Sequence, residues 1–446
     1  MAEARSMHND KESPYTLTLL DGDLSLQVLQ FSGREALNQP YRFEIEVIGL
    51  GPFMGAERLL HRPAFLDLGG NAGIHGILHN ATSERRGQHR ISYNLMLVPY
   101  VQNLDRERCR RVFHQLNVPA ILRQLLQQNA IPENSYRFEL PSTRYPLRPF
   151  CIQFDESDFE FLQRLCEEEG IHYHFEHQRD GHVLVLADDS LSFPQEPLLL
   201  PFQADAPPPA NEPVISELFQ RHTSPPPFAP PALHHFRREQ LSRRILERLR
   251  CRHRQIQGQS NQNELHGGRI VQVSEHPLSH FNDQWLLTEV RHQGQQPSIL
   301  ARHTTEIARR YSNRFTAIPW STEFRPPLTQ ARPSIAGYQT ARVLGAVGQP
   351  AQLDDCGRMR VRLWPDPVAD GDESAGFWLP LAIAAQGGRI DPSRLPIAGT
   401  DVLVSFLDGD PDRPVLCPCA DVPAAPPSTR PTRGDDRLLL DWLMHR

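Results

Sequence analysis

Several features that define large protein classes are missing from this sequence of 446 residues. No run of about 18 apolar residues occurs, so we expect no membrane-spanning helix and no stable membrane insertion. The polar N-terminus lacks the apolar segment of a secretory signal peptide, so any export is expected to use another route. The seven cysteines are scattered and form no CxxC pair, which favours a reducing compartment over a disulfide scaffold or a zinc knuckle.

The chain also lacks an excess of positive charge, with 47 Lys and Arg against 53 Asp and Glu and a net charge of −6. A protein that coats nucleic acid or an anionic membrane should be basic, so we predict no nucleic-acid partner. Proline, in contrast, is abundant at 41 residues, while the 27 glycines are ordinary. This excess predicts short strands, corners and linkers, and it excludes an all-α fold.

No catalytic motif is present, since GxSxG, HExxH, a Walker loop and a GxGxxG with a following helix are all missing. His172, His174 and Glu176 alternate on a predicted strand, and such side chains are able to ligate zinc or iron. The spacing offers no fourth ligand, and the same alternation is typical of a solvent-facing strand side. We therefore predict no catalytic residue, no cofactor and no bound metal, and keep these three residues only as metal candidates.

Other carboxylate-rich stretches suggest turns and exposed helix ends. Five aspartates lie within three residues of a glycine or proline, where aspartates cap turns, and without EF-hand spacing: Asp354, Asp355, Asp408, Asp410 and Asp412. Glu167, Glu168 and Glu169 are adjacent on a predicted helix. Adjacent residues fan around a helix, so we predict a solvated helix end and not a pair of glycosidase carboxylates.

The hydrophobic patterns predict a mainly β protein with a few helices, a β-rich α+β fold. Residues 15–20 and 24–30 flank an Asp-Gly turn signal and predict a hairpin, and residues 41–48 alternate as a half-buried strand. Ser157 and Glu160 form a capping box before a helix that Gly170 ends. A second, basic helix is predicted over 235–254, with arginines all around its axis as in a solvated or interface helix.

The last third of the sequence predicts a small barrel. Five short strands are expected at 339–344, 358–363, 377–383, 401–407 and 414–417. Five strands in about 80 residues match the size of an OB-type barrel. Such a barrel raises the alternative of nucleic-acid binding, with Trp364, Phe377 and Trp378 as stacking candidates. Phe377 and Trp378 are neighbours on a strand and face opposite sides, and a fold alone assigns no function.

Two long motifs carry a family resemblance. The first is Glu156-Ser157-Asp158-Phe159-Glu160-Phe161-Leu162, continued by Arg164-Leu165 and Glu167-Glu168-Glu169-Gly170-Ile171. It resembles the ESDFxFlxRLxEEEGI signature of the VgrG family, the spike proteins of type VI secretion, which resemble phage tail hub and spike proteins. The second contains Gly399 and ends in Gly409-Asp410-Pro411-Asp412-Arg413-Pro414, similar to the family's PriGxEVlVxFlxGDPDRP. In it we expect Gly409 to adopt a positive φ and Arg413 to pair with a turn aspartate.

The resemblance extends over residues 15–416 and implies phage tail hub-like barrels followed by an OB-type five-stranded barrel. The implied organisation is a disordered N-terminus (1–14), a first hub barrel (15–135), a second hub region with the capped helix and a proline-rich insert (136–330), an OB-type spike-base barrel (331–420), and a proline-rich tether with a short amphipathic tail (421–446). The family's long C-terminal β-helix is not visible, so we expect a short member.

The resemblance also implies a bacterial function. Such a protein is a structural, non-enzymatic homotrimer that connects a hexameric Hcp ring to the puncturing tip of a contractile injection system and aids effector delivery. It is expected to assemble in the cytoplasm and to leave through the type VI system. A separately encoded β-helix or PAAR tip, or an effector, is a further expected partner. A spike with hidden hydrolase activity and an OB-type nucleic-acid module remain the alternatives.

The tail offers one more candidate site. Its apolar residues are too many to sit exposed, and such a patch usually marks an interaction site: Leu438, Leu439, Leu440, Trp442 and Leu443. We predict that they dock on the trimer axis or on a separate cap or effector. The alternative is a remnant of a lost needle.

Overall fold

The computed structural model describes residues 15–22, 24–50, 54–70, 72–85, 90–140, 145–204, 212–222, 238–296, 310–365, 376–382 and 395–417. The chain divides between Pro333 and Ser334 into two compact units. The first contains a barrel, a second sheet and the helices, and the second is a small five-stranded barrel. The finer domain boundaries expected from the sequence stay predictions.

The described part of the first unit begins with a closed antiparallel barrel. Its strands are β1 (Thr16–Leu19), β2 (Leu24–Ala36), β3 (Gln39–Leu50), β4 (Pro63–Gly69), β5 (Ala72–Arg85) and β6 (Arg90–Val98). They follow the order β1-β4-β5-β6-β3-β2, and pairing of β1 with β2 closes the ring. Leu19 pairs with Leu24 across the turn, which confirms the predicted hairpin. In β3, Tyr41 and Phe43 are buried while Arg42 and Glu44 are exposed, as the alternation predicts.

Helices and shorter strands cover this barrel. They are β7 (Cys109–Leu116), α1 (Val118–Gln128), β8 (Tyr136–Glu139), β9 (Arg148–Glu156), α2 (Asp158–Glu169), β10 (His172–Gln178) and β11 (Gly181–Ala187). Strand β7 pairs with β9, and β10-β11-β8 form a separate sheet. Both helices add their apolar faces to the barrel core, where the rings of Phe113 and Phe161 stack with centroids 5.4 Å apart. One hydrophobic core therefore joins the barrel to the helices.

A second sheet continues from the barrel through β2. Its elements are β12 (Leu198–Pro201), β13 (Ile215–His222), α3 (Arg238–His253), β14 (Arg254–Ser260), β15 (Ile270–Ser274), β16 (Gln284–Gln295) and β17 (Arg310–Pro319). Strand β2 is long because its first half pairs with β1 and its second half, from Gln30 to Ala36, pairs with β16. Trp285 is fully buried in this sheet's core and donates its indole N–H to the Phe281 carbonyl at 3.0 Å.

The helices in the described part of the chain are short. The basic helix predicted over 235–254 is α3, which begins at Arg238 and ends at His253. None of the described helices is long and apolar enough to cross a membrane.

The second unit contains the five strands that the sequence predicts. They are β18 (Tyr338–Val343), β19 (Arg358–Leu363), β20 (Phe377–Pro380), β21 (Asp401–Phe406) and β22 (Pro414–Cys417). The order is β20-β19-β18-β21-β22. A parallel bridge between Leu381 and Leu416, with the Ala382 N–H bound to the Leu416 carbonyl at 2.8 Å, joins the outer strands. This strand pairing is that of an OB-type barrel. Together with the strands and the few helices of the first unit, it confirms the predicted mainly β fold with a few helices.

Candidate functional site

Helix α2, which carries the first family motif, begins and ends as predicted. The Ser157 hydroxyl accepts the Glu160 N–H at 3.1 Å, and the Glu160 carboxylate accepts the Ser157 N–H at 2.9 Å. These two bonds form the capping box. Gly170 follows the helix with a φ of +75°, a left-handed conformation that favours glycine.

Asp158 connects the first turn of α2 to neighbouring elements. One carboxylate oxygen accepts the Gln153 amide at 3.0 Å and a bond from Arg111, and the other accepts the Asn129 amide at 2.7 Å. Phe159 beside it packs against the hydrophobic core. The acidic and aromatic residues of the motif therefore position the helix against β7, β9 and the end of α1.

Arg164 and Glu156 form a buried ion pair below α2. The Arg164 Nε and Nη2 atoms lie 2.6 and 2.8 Å from the two Glu156 oxygens, and Nη2 also donates to the Ile152 carbonyl at 3.0 Å. Desolvation by burial opposes the charged form of Arg164, but the bonds to Glu156 and the charge of Glu168 outweigh it, so the pKa of Arg164 is raised. Both partners are satisfied, which is the condition for a charge pair to persist in a protein interior.

The solvated helix end predicted at Glu167, Glu168 and Glu169 is wrong for two of the three. Glu167 is 1% exposed and Glu169 is 8% exposed. Glu169 binds Arg148 at 2.5 Å and Arg244 at 3.0 Å through its two oxygens, while Glu168, only half-buried, binds Arg164 at 3.1 Å. The physical reason is that α3 and a later chain segment cover this end of α2.

That later segment, residues 323–330, is fastened by Glu167. The Glu167 carboxylate accepts the backbone N–H groups of Thr329 and Gln330 at 2.7 and 2.8 Å. It also accepts the Thr329 hydroxyl at 2.5 Å and the Gln163 amide at 2.9 Å. A buried carboxylate that accepts several N–H and O–H donors is well compensated for its lost hydration.

Arg325 and Arg248 complete the same contact. Arg325 donates to the Glu247 carboxylate at 2.6 Å, to the Asp188 carbonyl at 2.5 Å and to the Gly170 carbonyl at 3.2 Å. Arg248 of α3 donates to the Pro326 carbonyl at 2.8 Å. Burial, together with the charges of Arg244 and Arg325, lowers the pKa of Arg248 to about 10. The basic helix was predicted to be either solvated or part of an interface. Arg244 and Arg248 lie in an interface, between α3, α2 and residues 323–330.

We call the arrangement of α2, Arg244 and Arg248 of α3, and residues 323–330 the α2 clamp. The sequence analysis identified the motif on α2, but it did not predict that Arg148, Arg244, Arg325 and Thr329 contact this helix end or the segment that covers it. The available signal was the charge count: a helix end with three glutamates and a separate helix dense in arginine are natural partners.

The metal candidates His172, His174 and Glu176 do not form a solvent-facing row. His172 and His174 are buried, with their rings 4.7 and 5.1 Å from the Phe193 ring, so the expected wet face is wrong. Phe193 covers that side of β10. Glu176 is held by Arg137 at 2.8 Å. Within the described ranges, no group of three or more His, Cys, Asp or Glu residues is placed to hold a metal ion.

The second family motif forms a tight turn between β21 and β22. Gly409 has a φ of +71°, and Arg413 lies 2.8 Å from the Asp408 carboxylate, as the sequence predicts. The Asp410 carboxylate accepts the Asp412 N–H at 3.0 Å. Asp354, in an earlier loop, accepts the N–H groups of Cys356 and Arg358. Asp354, Asp408 and Asp410 thus serve turn geometry.

Gly409 and Gly337 both have positive φ, which an alanine adopts only with strain. A Cβ at Gly337 would meet nothing within 4 Å, and at Gly409 the one close atom would be the Ser334 hydroxyl at 2.4 Å, which moves away when that side chain rotates. We therefore expect Gly337→Ala and Gly409→Ala each to destabilise the second unit by about 1 kcal/mol, through the backbone conformation. Thermal unfolding of both variants checks this. A much larger loss at Gly409 would show that crowding, and not the backbone, decides that position.

The nucleic-acid candidates do not form a stacking surface. Phe377 is buried in the small barrel, so it is not available to a base, while Trp378 is exposed on the opposite side of the strand. The Trp364 indole N–H donates to the Gln339 side chain at 3.0 Å. The tail candidates, Leu438, Leu439, Leu440, Trp442 and Leu443, lie outside the described residues.

Comparison with known proteins agrees with this fold. A family model described as phage tail baseplate hub (GPD) matches residues 34–227 and 220–298. The chain is 37% identical, over 93% of its length, to the type VI secretion system spike protein VgrG4b of Pseudomonas aeruginosa, and covers 57% of that protein. It is also 37% identical, over 88% of its length, to spike protein VgrG5 of the same organism, covering 55% of it. The chain thus spans little more than half the length of these two relatives.

A solved structure matches most of the chain. It is the E. coli c3393 protein, described as a component of the type VI secretion system with structural similarity to the T4 bacteriophage tail proteins gp27 and gp5. The TM-score is 0.72 at 26% identity, over 90% of this chain and 98% of that one. The fold is therefore that of a phage tail hub. The chain belongs to the phage tail baseplate hub family, and within it to the VgrG spike proteins.

Proposed function

We propose that this chain is the structural hub of a type VI secretion spike. In this proposal it assembles as a homotrimer, sits on the end of the Hcp tube, and connects that tube to the puncturing tip. The observation that carries the proposal is the match of the two-unit fold to 98% of the E. coli type VI component. A separately encoded tip protein or an effector is the partner proposed for the far end.

The chemistry of the motif residues supports a structural role over an enzymatic one. The carboxylates and arginines of α2 bind one another or backbone groups, as in the Arg164–Glu156 and Glu167–Thr329 contacts. A catalytic group instead has to reach a substrate across a cleft. In the clamp these side chains are buried or held by partners. We propose on this ground that the chain is not itself an enzyme.

The trimer and its ring partner are tested by light scattering. The chain mass is 50.8 kDa, so a trimer is expected at three times that mass, and addition of purified Hcp is expected to give a larger complex. A ring-forming protein unrelated to type VI secretion serves as the control for non-specific association. A chain that stays monomeric at every concentration and fails to retain Hcp would contradict the proposed hub.

Export follows from the same proposal. We propose assembly in the cytoplasm and release through the type VI system. The chain should then reach the medium in cells with a working sheath and stay inside cells whose sheath cannot contract. Immunoblots of both fractions, with a cytoplasmic enzyme as the lysis control, measure this. Equal release from both strains would contradict it.

A further inference from the structure

Two buried histidines meet where the barrel contacts the three-stranded sheet. His75 lies on β5 of the barrel and His182 on β11, and their Nδ1 atoms are 2.9 Å apart. Both side chains are buried, and the His182 ring stacks on the Tyr100 ring with centroids 4.5 Å apart. The pair is thus a direct polar contact between the barrel and the three-stranded sheet, placed among aromatic rings.

The bonds around this pair fix which nitrogens carry protons. The Tyr100 backbone N–H donates to His182 Nε2 at 3.1 Å, so that nitrogen is an acceptor. Neutral His182 must then carry its proton on Nδ1 and donate it to His75 Nδ1. His75 consequently carries its proton on Nε2, a buried atom with no hydrogen-bond partner among the described residues.

No added proton fits this arrangement. A proton on His75 Nδ1 would face the N–H of His182. If His182 then moved its own proton to Nε2, that proton would face the Tyr100 N–H. Two donors pointed at each other in a buried site lose a hydrogen bond and repel. The pair therefore accepts a proton only when the seam opens.

The groups that face the pair do not offset this cost. Tyr41 of β3 donates its hydroxyl to the His75 carbonyl at 2.5 Å. The other groups are Tyr100, in the short 3-10 helix Tyr100–Leu104, His177 of β10, and Asp180 in the turn between β10 and β11. Desolvation lowers the pKa of His75 to about 4 although the Asp180 charge acts in the opposite direction. Desolvation, with the charges of His177 and His75, holds the pKa of His182 well below its usual value.

We propose that the His75–His182 pair is a proton-sensitive latch that joins the three-stranded sheet to the barrel at neutral pH and releases it in acid. The folded-state pKa of His75 lies below the unfolded value of about 6.5, so the latch contributes fully above that value. Its contribution falls as the pH drops from about 6.5 towards 4. Within that window, each proton taken up favours the open seam by about tenfold per pH unit. A hub that entered an acidic compartment would loosen at this seam.

Hydrogen exchange of the full chain at pH 7.5, 6.0 and 4.5 tests the latch. After correction for the chemical exchange rate, amides of β10 and β11 should exchange on the order of 10–100-fold faster at pH 4.5 than at pH 7.5. The five strands of the small barrel should not follow this dependence. The double variant His75→Phe/His182→Phe should lose part of the pH dependence in β10 and β11. The part that remains is assigned to His172, His174 and His177 of β10, which are also buried with lowered pKa values.

His79→Phe is the matched control, because His79 lies on the same strand β5 and is exposed. It should keep the wild-type pH dependence. Unchanged exchange between pH 7.5 and 4.5, or the same pH dependence in the double variant, would overturn the latch.

A second measurement needs no variant. In ¹⁵N-histidine-labelled wild-type protein, nuclear magnetic resonance should show a neutral imidazole protonated on Nδ1 that stays neutral to about pH 5. If no such imidazole signal is found, the proton positions assigned to His182 and His75 are wrong, and the latch is overturned.

Discussion

Replacing Arg164 by alanine is expected to destabilise the first unit by about 3–5 kcal/mol, because the Glu156 carboxylate stays buried without its partner. The Arg164 side chain is only 4% exposed, and it also satisfies the Ile152 carbonyl. Urea unfolding followed by circular dichroism and by exchange of α2 amides measures the loss. The second unit, followed by its own amides, should be unaffected.

Arg137→Ala is the control for this experiment. Arg137 also binds two carboxylates, those of Glu139 and Glu176, but its side chain is 43% exposed. Water replaces exposed partners at little cost, so we expect a loss below about 1 kcal/mol. The pair change Arg164→Met with Glu156→Leu should recover most of the stability lost in Arg164→Ala. Similar losses at Arg164 and Arg137 would contradict the argument from burial.

Most of the fold was predictable because local signals specify it. The hairpin around Asp21, the alternation in β3 and the capping box at Ser157 each depend on residues within a few positions of one another. Such signals survive in a single sequence, since side-chain period and turn chemistry are local properties. The five strands of the small barrel were found for the same reason.

The polar contacts of the α2 clamp were not predictable in this way. Glu167 and Thr329 are 162 residues apart, and nothing local distinguishes Glu167 from the exposed glutamate of an ordinary helix end. Three adjacent charges favour the interpretation as a solvated surface. Only the tertiary structure shows that α3 and residues 323–330 cover two of them.

The burial of His172, His174, His75 and His182 was missed for a related reason. Histidine on an alternating strand is equally compatible with a wet face and with a polar contact under an aromatic cover. The cover for His172 and His174 is Phe193, beyond the end of the next strand, and the partner of His75 lies on β11. The alternation predicted that His172 and His174 share a face of one strand, but not what packs on that face.

Arg325→Ala is expected to release residues 323–330 from the α2 clamp. The Arg325 side chain is 6% exposed and connects α3, the end of α2 and the chain after β11, so its loss removes its bonds to the Glu247 carboxylate and to the Gly170 and Asp188 carbonyls. We expect the first unit to lose about 3 kcal/mol. The Thr329 and Gln330 amides, bound to Glu167 in the wild type, should exchange at least tenfold faster. Urea unfolding and hydrogen exchange measure the two effects.

Arg243→Ala separates burial from charge in this experiment, because Arg243 binds the same two carboxylates as Arg325, those of Glu247 and Glu323. Its side chain is 66% exposed, so its removal should cost less than about 1 kcal/mol and leave Thr329 and Gln330 protected. If both variants lose stability equally, the loss of positive charge explains the effect. If neither changes the exchange of Thr329, the Glu167 carboxylate alone holds residues 323–330, and Arg325 is not part of what fastens them.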